Sequence, residues 1–245
     1  MKQLLIIVLI LISFLGNGQK TISYSNQQWF QYYNLLKINP KLTLLSDVGY
    51  RYISAFSYRS LYLTRIGLGY EIKPGFRVSG RIAHLGVYNL GQLNKVEFRG
   101  SQGLLHVKNT ALGKMIQHFR IEERIFKDIL NGKIQSENEF NFRFRYQFSL
   151  TFPLLKLSSK DPDKKLLFSI GNEIFINSGK NITYNIYNQN RILIGPVVHL
   201  NSNLFLNLLY CHQFKSKNLP NDYNQDYVMW IKLFHKINLH KEKGN

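Results

Sequence analysis

The stretch from Glu139 to Phe152 reads EFNFRFRYQFSLTF, and its alternation decides the fold. Phe140, Phe142, Phe144, Tyr146, Phe148, Leu150 and Phe152 fall on every second position, with Asn141, Arg143, Arg145, Gln147, Ser149 and Thr151 between them. A helix, with about 3.6 residues per turn, would scatter the apolar set around its surface, whereas a strand collects it on one side. The segment is therefore a strand with one aromatic face and one polar face.

Working outward, the same period recurs in segments bounded by turn chemistry. Ser60 to Ile72 sets Tyr62, Ile66, Leu68, Tyr70 and Ile72 against Arg65, Gly67, Gly69 and Glu71, with Arg59 just before it, and stops at Lys73-Pro74-Gly75, a hairpin signal. Phe76 to Tyr88 follows, with Val78, Gly80 and Ile82 opposite Arg77, Ser79 and Arg81. Met115 to Phe126 and Leu166 to Asn177 are of the same kind, and weaker alternation marks Gln27 to Ile38, Leu42 to Ile53, Lys95 to His106, Tyr184 to His199, Leu204 to Phe214 and Gln225 to Leu239. No stretch reads as a helix beyond the first residues. The count is eleven, while a bacterial single-chain membrane barrel is expected to have an even number of strands and both ends in the periplasm. Adding Thr21 to Ser25 as a short strand gives twelve, the number expected here; ten follows if Lys95 to His106 is not a strand.

Composition agrees with an all-β chain. Aromatic residues are 14% and charged residues 19% of 245, the reverse of what disorder requires. A single cysteine, Cys211, excludes an internal disulfide framework and a cysteine-based zinc site. At the start, Lys2 precedes the apolar run Leu4 to Leu15, followed by Gly16, Asn17 and Gly18, which reads as a secretory signal peptide over residues 1–18 with cleavage before Gln19. The run is too short to span hydrocarbon, which takes roughly 20 residues, and no later stretch qualifies. Residues 19–245 are then one domain.

Short connections at Asn39-Pro40, Lys73-Pro74-Gly75 and Asn201-Ser202-Asn203 alternate with longer polar ones such as Lys127 to Asn138 and Lys215 to Asp226. That is the pattern of an up-and-down barrel in an outer membrane. One connection breaks it, since Leu155 to Lys165 is long where a short turn is expected. In a soluble lipocalin-like barrel the Phe face would line a cavity; in a membrane barrel it would face lipid. Three features favour the membrane. The strands outnumber the roughly eight of a small soluble barrel. The polar faces mix Arg with Glu, Asn, Gln, Ser and Thr and hold little Lys. Aromatic residues including Trp29, Tyr32, Tyr33, Tyr50, Tyr52, Tyr184, Tyr187, Tyr223, Tyr227 and Trp230 lie near expected strand ends, as an interfacial girdle would.

Assigned to the lumen, the polar faces carry ten arginines from Arg59 to Arg191, with Glu71, Glu97, Glu122 and Glu173 as partners. Arg120, Glu122, Arg124, Arg143, Arg145, Glu173 and Arg191 are the expected charge network. Crowded interior charges must be paired, so a structural ladder that fills the barrel is one reading, and an anion-attracting passage is the other. Lysines in the connections account for much of the net charge of +18, which solvates the loops or meets lipid phosphates; an exported chain is not expected to bind nucleic acid. No metal-ligand or nucleophile constellation is specific. Gly100-Ser101-Gln102-Gly103 lacks the spacing of a nucleophile elbow, and Gly67-Leu68-Gly69 lacks the third glycine of a dinucleotide fingerprint. A Ser and a His meeting on neighbouring strands would suffice for a barrel-embedded lipid-modifying enzyme, which stays an alternative.

Several short motifs occur in a telling order: Gln28-Trp29, Glu97-Phe98-Arg99, Arg120-Ile121-Glu122-Glu123-Arg124, Arg143-Phe144-Arg145-Tyr146 running to Pro153-Leu154, Asn172-Glu173-Ile174-Phe175, and Asn188-Gln189-Asn190-Arg191 before Gly195. Together they resemble a family of bacterial exported proteins known only as a domain of unknown function and taken to be outer-membrane β-barrels. The resemblance spans nearly the whole chain after the signal peptide. It implies a barrel and a location, and it carries over no catalytic or binding residue. In one respect the chain departs from typical outer-membrane barrels, whose last strand commonly ends in an aromatic residue: it runs past Phe234 to the polar tail His240 to Asn245. The expectation is an all-β, single antiparallel up-and-down transmembrane barrel, structural or narrowly conducting, with outer-membrane lipids and small anionic solutes as partners and no cofactor or metal. A soluble periplasmic ligand-binding barrel is the remaining alternative.

Overall fold

A computed structural model describes residues 20–240, so the signal-peptide reading of residues 1–18 and most of the polar tail lie outside the described residues. Twelve strands are present: β1 Thr21–Lys37, β2 Leu42–Ile53, β3 Tyr58–Lys73, β4 Phe76–Asn89, β5 Gln92–Thr110, β6 Gly113–Leu130, β7 Lys133–Ile134, β8 Glu139–Lys156, β9 Lys165–Ser178, β10 Tyr187–His199, β11 Leu204–Ser216 and β12 Asp222–Asn238. Each pairs with its sequence neighbours, β6 joins β5 and β8, and β1 joins β12, so eleven strands close into a barrel. Closure gives each of the eleven barrel strands a partner on both sides, while β7 pairs with β6 alone. Among the described residues there is no helix.

The number twelve holds, but the extra strand is not where the sequence suggests. Thr21 to Ser25 is the opening of β1, paired with Asp222 to Asp226, and the added element is the two-residue β7, which folds back on the end of β6 at Ile129 and Leu130. An odd number of up-and-down strands makes the first and last parallel. β1 and β12 pair parallel over their full length, from Thr21 opposite Asp222 to Lys37 opposite Asn238. The two described chain ends therefore lie at opposite ends of the barrel, against the expectation that both share one side. Lys95 to His106, one of the weaker stretches by pattern, is the middle of β5 and is paired on both edges.

Connections 38–41, 74–75, 111–112, 157–164 and 200–203 share one end, and 54–57, 90–91, 131–138, 179–186 and 217–221 share the other. The short turns read from sequence thus gather at one end, with 157–164 as the long exception there. In the Pro74-Gly75 turn, Gly75 takes a φ of 80°, which a side chain would strain, and its N–H donates to Glu71 Oε1 at 2.9 Å.

Which face points outward follows from burial. Phe140, Phe142, Phe144, Tyr146 and Phe148 are exposed on the barrel exterior, while Arg143, Arg145 and Ser149 between them are buried inside. Ile66, Leu68, Tyr70, Val78, Ile82, Ile170, Ile174 and Ile192 continue the apolar exterior on other strands. Apolar area has been left outside and ionised groups enclosed, which is the reverse of a barrel stabilised in water.

Candidate functional site

Five carboxylates lie buried in the barrel: Asp47, Glu97, Glu122, Glu173 and Asp226. Each is placed by inward alternation on its strand, so its neighbours across the barrel wall are the inward residues of adjacent strands. Glu122 on β6 accepts from Arg143 Nε at 2.7 Å and from Arg145 Nη1 at 2.5 Å, with Arg99 Nη1 at 3.5 Å. Glu173 on β9 accepts from Arg145 Nη2 at 2.6 Å and from Arg120, with Arg191 Nη1 3.6 Å away. Glu97 on β5 accepts from Arg99 at 2.7 Å and Arg124 at 2.8 Å. Arg145 ties Glu122 to Glu173, and Arg99 ties Glu97 to Glu122, so one network runs across β5, β6, β8, β9 and β10.

Two smaller groups flank it. Asp47 on β2 takes both oxygens to Arg65, at 2.8 to 3.0 Å, and accepts from Gln31 Nε2 at 2.7 Å. Asp226 on β12 accepts from Ser25 Oγ at 2.6 Å and from Gln213 and Asn224, with Lys215 Nζ at 3.2 Å. Charge-assisted bonds of this kind are the strong ones, and a buried carboxylate without them would be costly. Two inward glycines of β3 make room for them: a Cβ on Gly67 would lie 2.6 Å from Arg81 Cα, and one on Gly69 would lie 2.8 Å from Arg77 Cδ.

Opposite the network, the interior is aromatic. Trp29 on β1 and Trp230 on β12 meet edge to face with centroids 4.9 Å apart and join Leu193, Leu209, Cys211 and Val228 in an apolar cluster. Arg51 Cζ lies 3.8 Å from the centre of the Trp29 ring, and Lys232 Nζ lies 3.5 Å from that of Trp230. Phe175 on β9 is buried among Arg143, Arg145 and Arg191, at 5.3, 4.3 and 4.7 Å. A cavity of about 500 Å³ runs between these walls, lined by ten arginines and two lysines but only two carboxylates, Glu97 and Glu173.

All seven expected network residues, Arg120, Glu122, Arg124, Arg143, Arg145, Glu173 and Arg191, fall in that one network. Other lumen assignments need correction. Arg59 is exposed beside the irregular pairing of β2 and β3, and Glu71 caps the Gly75 turn. Trp29 and Trp230 are buried inside at 1% and 6% exposure, not in an interfacial girdle. Tyr33 also turns inward, stacked on Phe234 at 4.4 Å, and Lys215 is an inward strand residue, not a connection lysine. Asp47, Arg51 and Lys232 are not singled out by sequence, Asp226 enters only as the end of a connection and Phe175 only within a family motif, although each lies on the polar side of a period-two segment.

The exterior histidines engage aromatic neighbours. His106 stacks on Phe76 with centroids 4.1 Å apart, His84 lies 4.9 Å from Phe98, and His235 Nδ1 is 3.0 Å from the Tyr32 hydroxyl. Among the described residues no serine hydroxyl is hydrogen-bonded to a histidine, and no cluster of His, Cys, Asp and Glu is arranged to hold a metal ion.

Fold and interior together define a closed β-barrel with an arginine-rich, internally paired lumen. The chain belongs to the family described as "Protein of unknown function (DUF2490)", whose model matches residues 26–224. No curated protein matches it. A solved structure, the crystal structure of the ferric enterobactin receptor (PfeA) in complex with BCV-L6, is similar over 73% of this chain and 36% of that one, at 9% identity and a TM-score of 0.33. The chain spans about a third of that receptor's length.

Proposed function

We propose that the protein is an outer-membrane β-barrel whose lumen is largely filled by its own side chains, a non-enzymatic barrel that is structural or admits only small anions. One observation carries the reading: the aromatic face of β8 and its counterparts point outward, while the arginines and carboxylates are enclosed. Lipid tails favour an apolar exterior, and a closed barrel is the one sheet that leaves no backbone group unpaired in hydrocarbon. Outer-membrane lipids are thus the first partner. The end that gathers most of the short turns is the periplasmic one. The excess of lumen cations over carboxylates selects anions among small solutes, because guanidinium groups match carboxylate and phosphate oxygens. A lipocalin-like carrier would need Phe140 to Phe152 around its cavity, and those side chains are outside.

Fractionation of expressing cells, with gel migration before and after boiling, tests the reading. Membrane-bound protein whose migration shifts on boiling is the expected result. Release into the soluble fraction without a shift would overturn it.

A further inference from the structure

Most lumen cations share a carboxylate, but Arg51, Arg77 and Lys232 do not, and of these Arg51 and Lys232 rest on indole rings. Lys232 is 8% exposed, and its ammonium makes no hydrogen bond or ion pair among the described residues. Its direct contact is the face of the Trp230 ring. Arg51 likewise has the Trp29 face and no acceptor, and the Trp230 indole N–H is buried without a partner. Arg191 completes the group at 5.0 Å from the Trp29 ring and 5.8 Å from the Trp230 ring, and its Nε donates to Gln213 Oε1 at 2.6 Å. All of these side chains line the same cavity.

An aromatic face attracts a cation, yet far less than a carboxylate does, and a desolvated ammonium needs more than one ring. Cys211, the nearest acidic group on β11, is a thiol within the apolar cluster and gives no formed charge. What the indole pair lacks is a negative group, and the donors available are of a definite kind. A guanidinium offers two parallel N–H groups, an ammonium offers up to three, and the indole offers one, a set suited to an anion with several oxygens.

We propose that the Arg51, Lys232 and Trp230 side chains form a binding site for a small oxyanion, a phosphate or carboxylate group, beside the Trp29–Trp230 pair. The proposal rests on the lumen reading above, not on the membrane location. The oxygens would accept from Arg51, from Lys232 Nζ and from the indole N–H, closing the donors that the protein leaves open. The group could be the free ion or the charged end of an organic solute.

Both tryptophans of the chain flank the site, so intrinsic fluorescence of the refolded full chain in detergent reports on it. Inorganic phosphate, glycerol 3-phosphate and acetate are titrated at constant ionic strength, with chloride as reference. A saturable change with phosphate or acetate, weakened at least tenfold in Lys232→Met and in Arg51→Gln, is expected. Saturation by glycerol 3-phosphate as well would assign the site to the end of an organic solute, and saturation by inorganic phosphate alone would assign it to the free ion. A response that follows chloride, or a saturable one unchanged in both variants, would overturn the site. Boiling-sensitive migration, measured on the same samples, reports the barrel separately, so failure of the site and failure of the barrel are distinguishable. If Lys232→Met does not fold, Arg51→Gln carries the comparison.

Discussion

On the wall built from β5, β6, β8 and β9, each buried carboxylate is shared by at least two guanidinium groups, whereas at the seam of β2, β1 and β12 the cations Arg51 and Lys232 rest on indole rings. On the first wall every arginine has a carboxylate partner, five guanidinium groups sharing Glu97, Glu122 and Glu173. Its Arg145, with one nitrogen on Glu122 and another on Glu173, braces three strands without help from outside the chain. The seam wall is complete in packing, since Trp29 and Val228 are almost wholly buried with Cys211 of β11 beside them, but its Arg51 and Lys232 have no carboxylate partner. Pairing within the chain marks the part of the lumen that holds the barrel together; its absence at Arg51 and Lys232 marks where the proposed oxyanion site lies.

Four substitutions break or sharpen that contrast. Glu122→Leu has the largest effect, because it leaves Arg143 without a carboxylate and takes one of two carboxylates from Arg145 and Arg99; a loss of about 3 to 5 kcal/mol is expected, seen as a lower urea midpoint and loss of the boiling-sensitive band. Gly67→Val, on β3, should cost about 1 to 3 kcal/mol in the same urea measurement, since its side chain would overlap the Arg81 backbone and the Gly80 carbonyl. Lys232→Met should move the midpoint the other way, raising stability by about 1 kcal/mol in phosphate-free buffer, because an unpaired buried charge is replaced by an apolar chain of similar length. Equal destabilisation by Lys232→Met and Glu122→Leu would erase the distinction between the two walls. Phe144→Leu, on the exterior, should change the midpoint by less than about 0.5 kcal/mol, setting the scale for a residue outside both walls.

Strand β8 was legible because its two faces differ in kind, aromatic against polar, so the period alone assigns every side chain. β1 was not. Gln27, Trp29, Gln31 and Tyr33 alternate with Gln28, Phe30 and Tyr32, so both faces mix amides with aromatic rings and the pattern gives no direction. Only the register with β12 and β2 turns Trp29 inward, opposite Trp230 and Arg51. The arginine network was legible as a set because Arg120, Glu122, Arg124, Arg143 and Arg145 fall on the polar faces of β6 and β8. Its partner choice was not, since Glu173 meets Arg120 only where β8 separates their strands. Phe175 was hidden for a related reason: an aromatic residue between Glu173 and Asn177 reads as an exception to a polar face, yet it is the ring over which three guanidinium groups gather. The parallel seam was beyond any local pattern, because it depends on the parity of the whole strand count.

The central claim is that aromatic rings of β8 face lipid while both tryptophans face inward, and fluorescence quenching by bilayers with brominated acyl chains tests it directly. The protein as it stands should be quenched weakly after insertion, and a chain carrying Phe144→Trp strongly in the same bilayers. Strong quenching of Trp29 and Trp230 themselves, or none at the Phe144→Trp position, would contradict it.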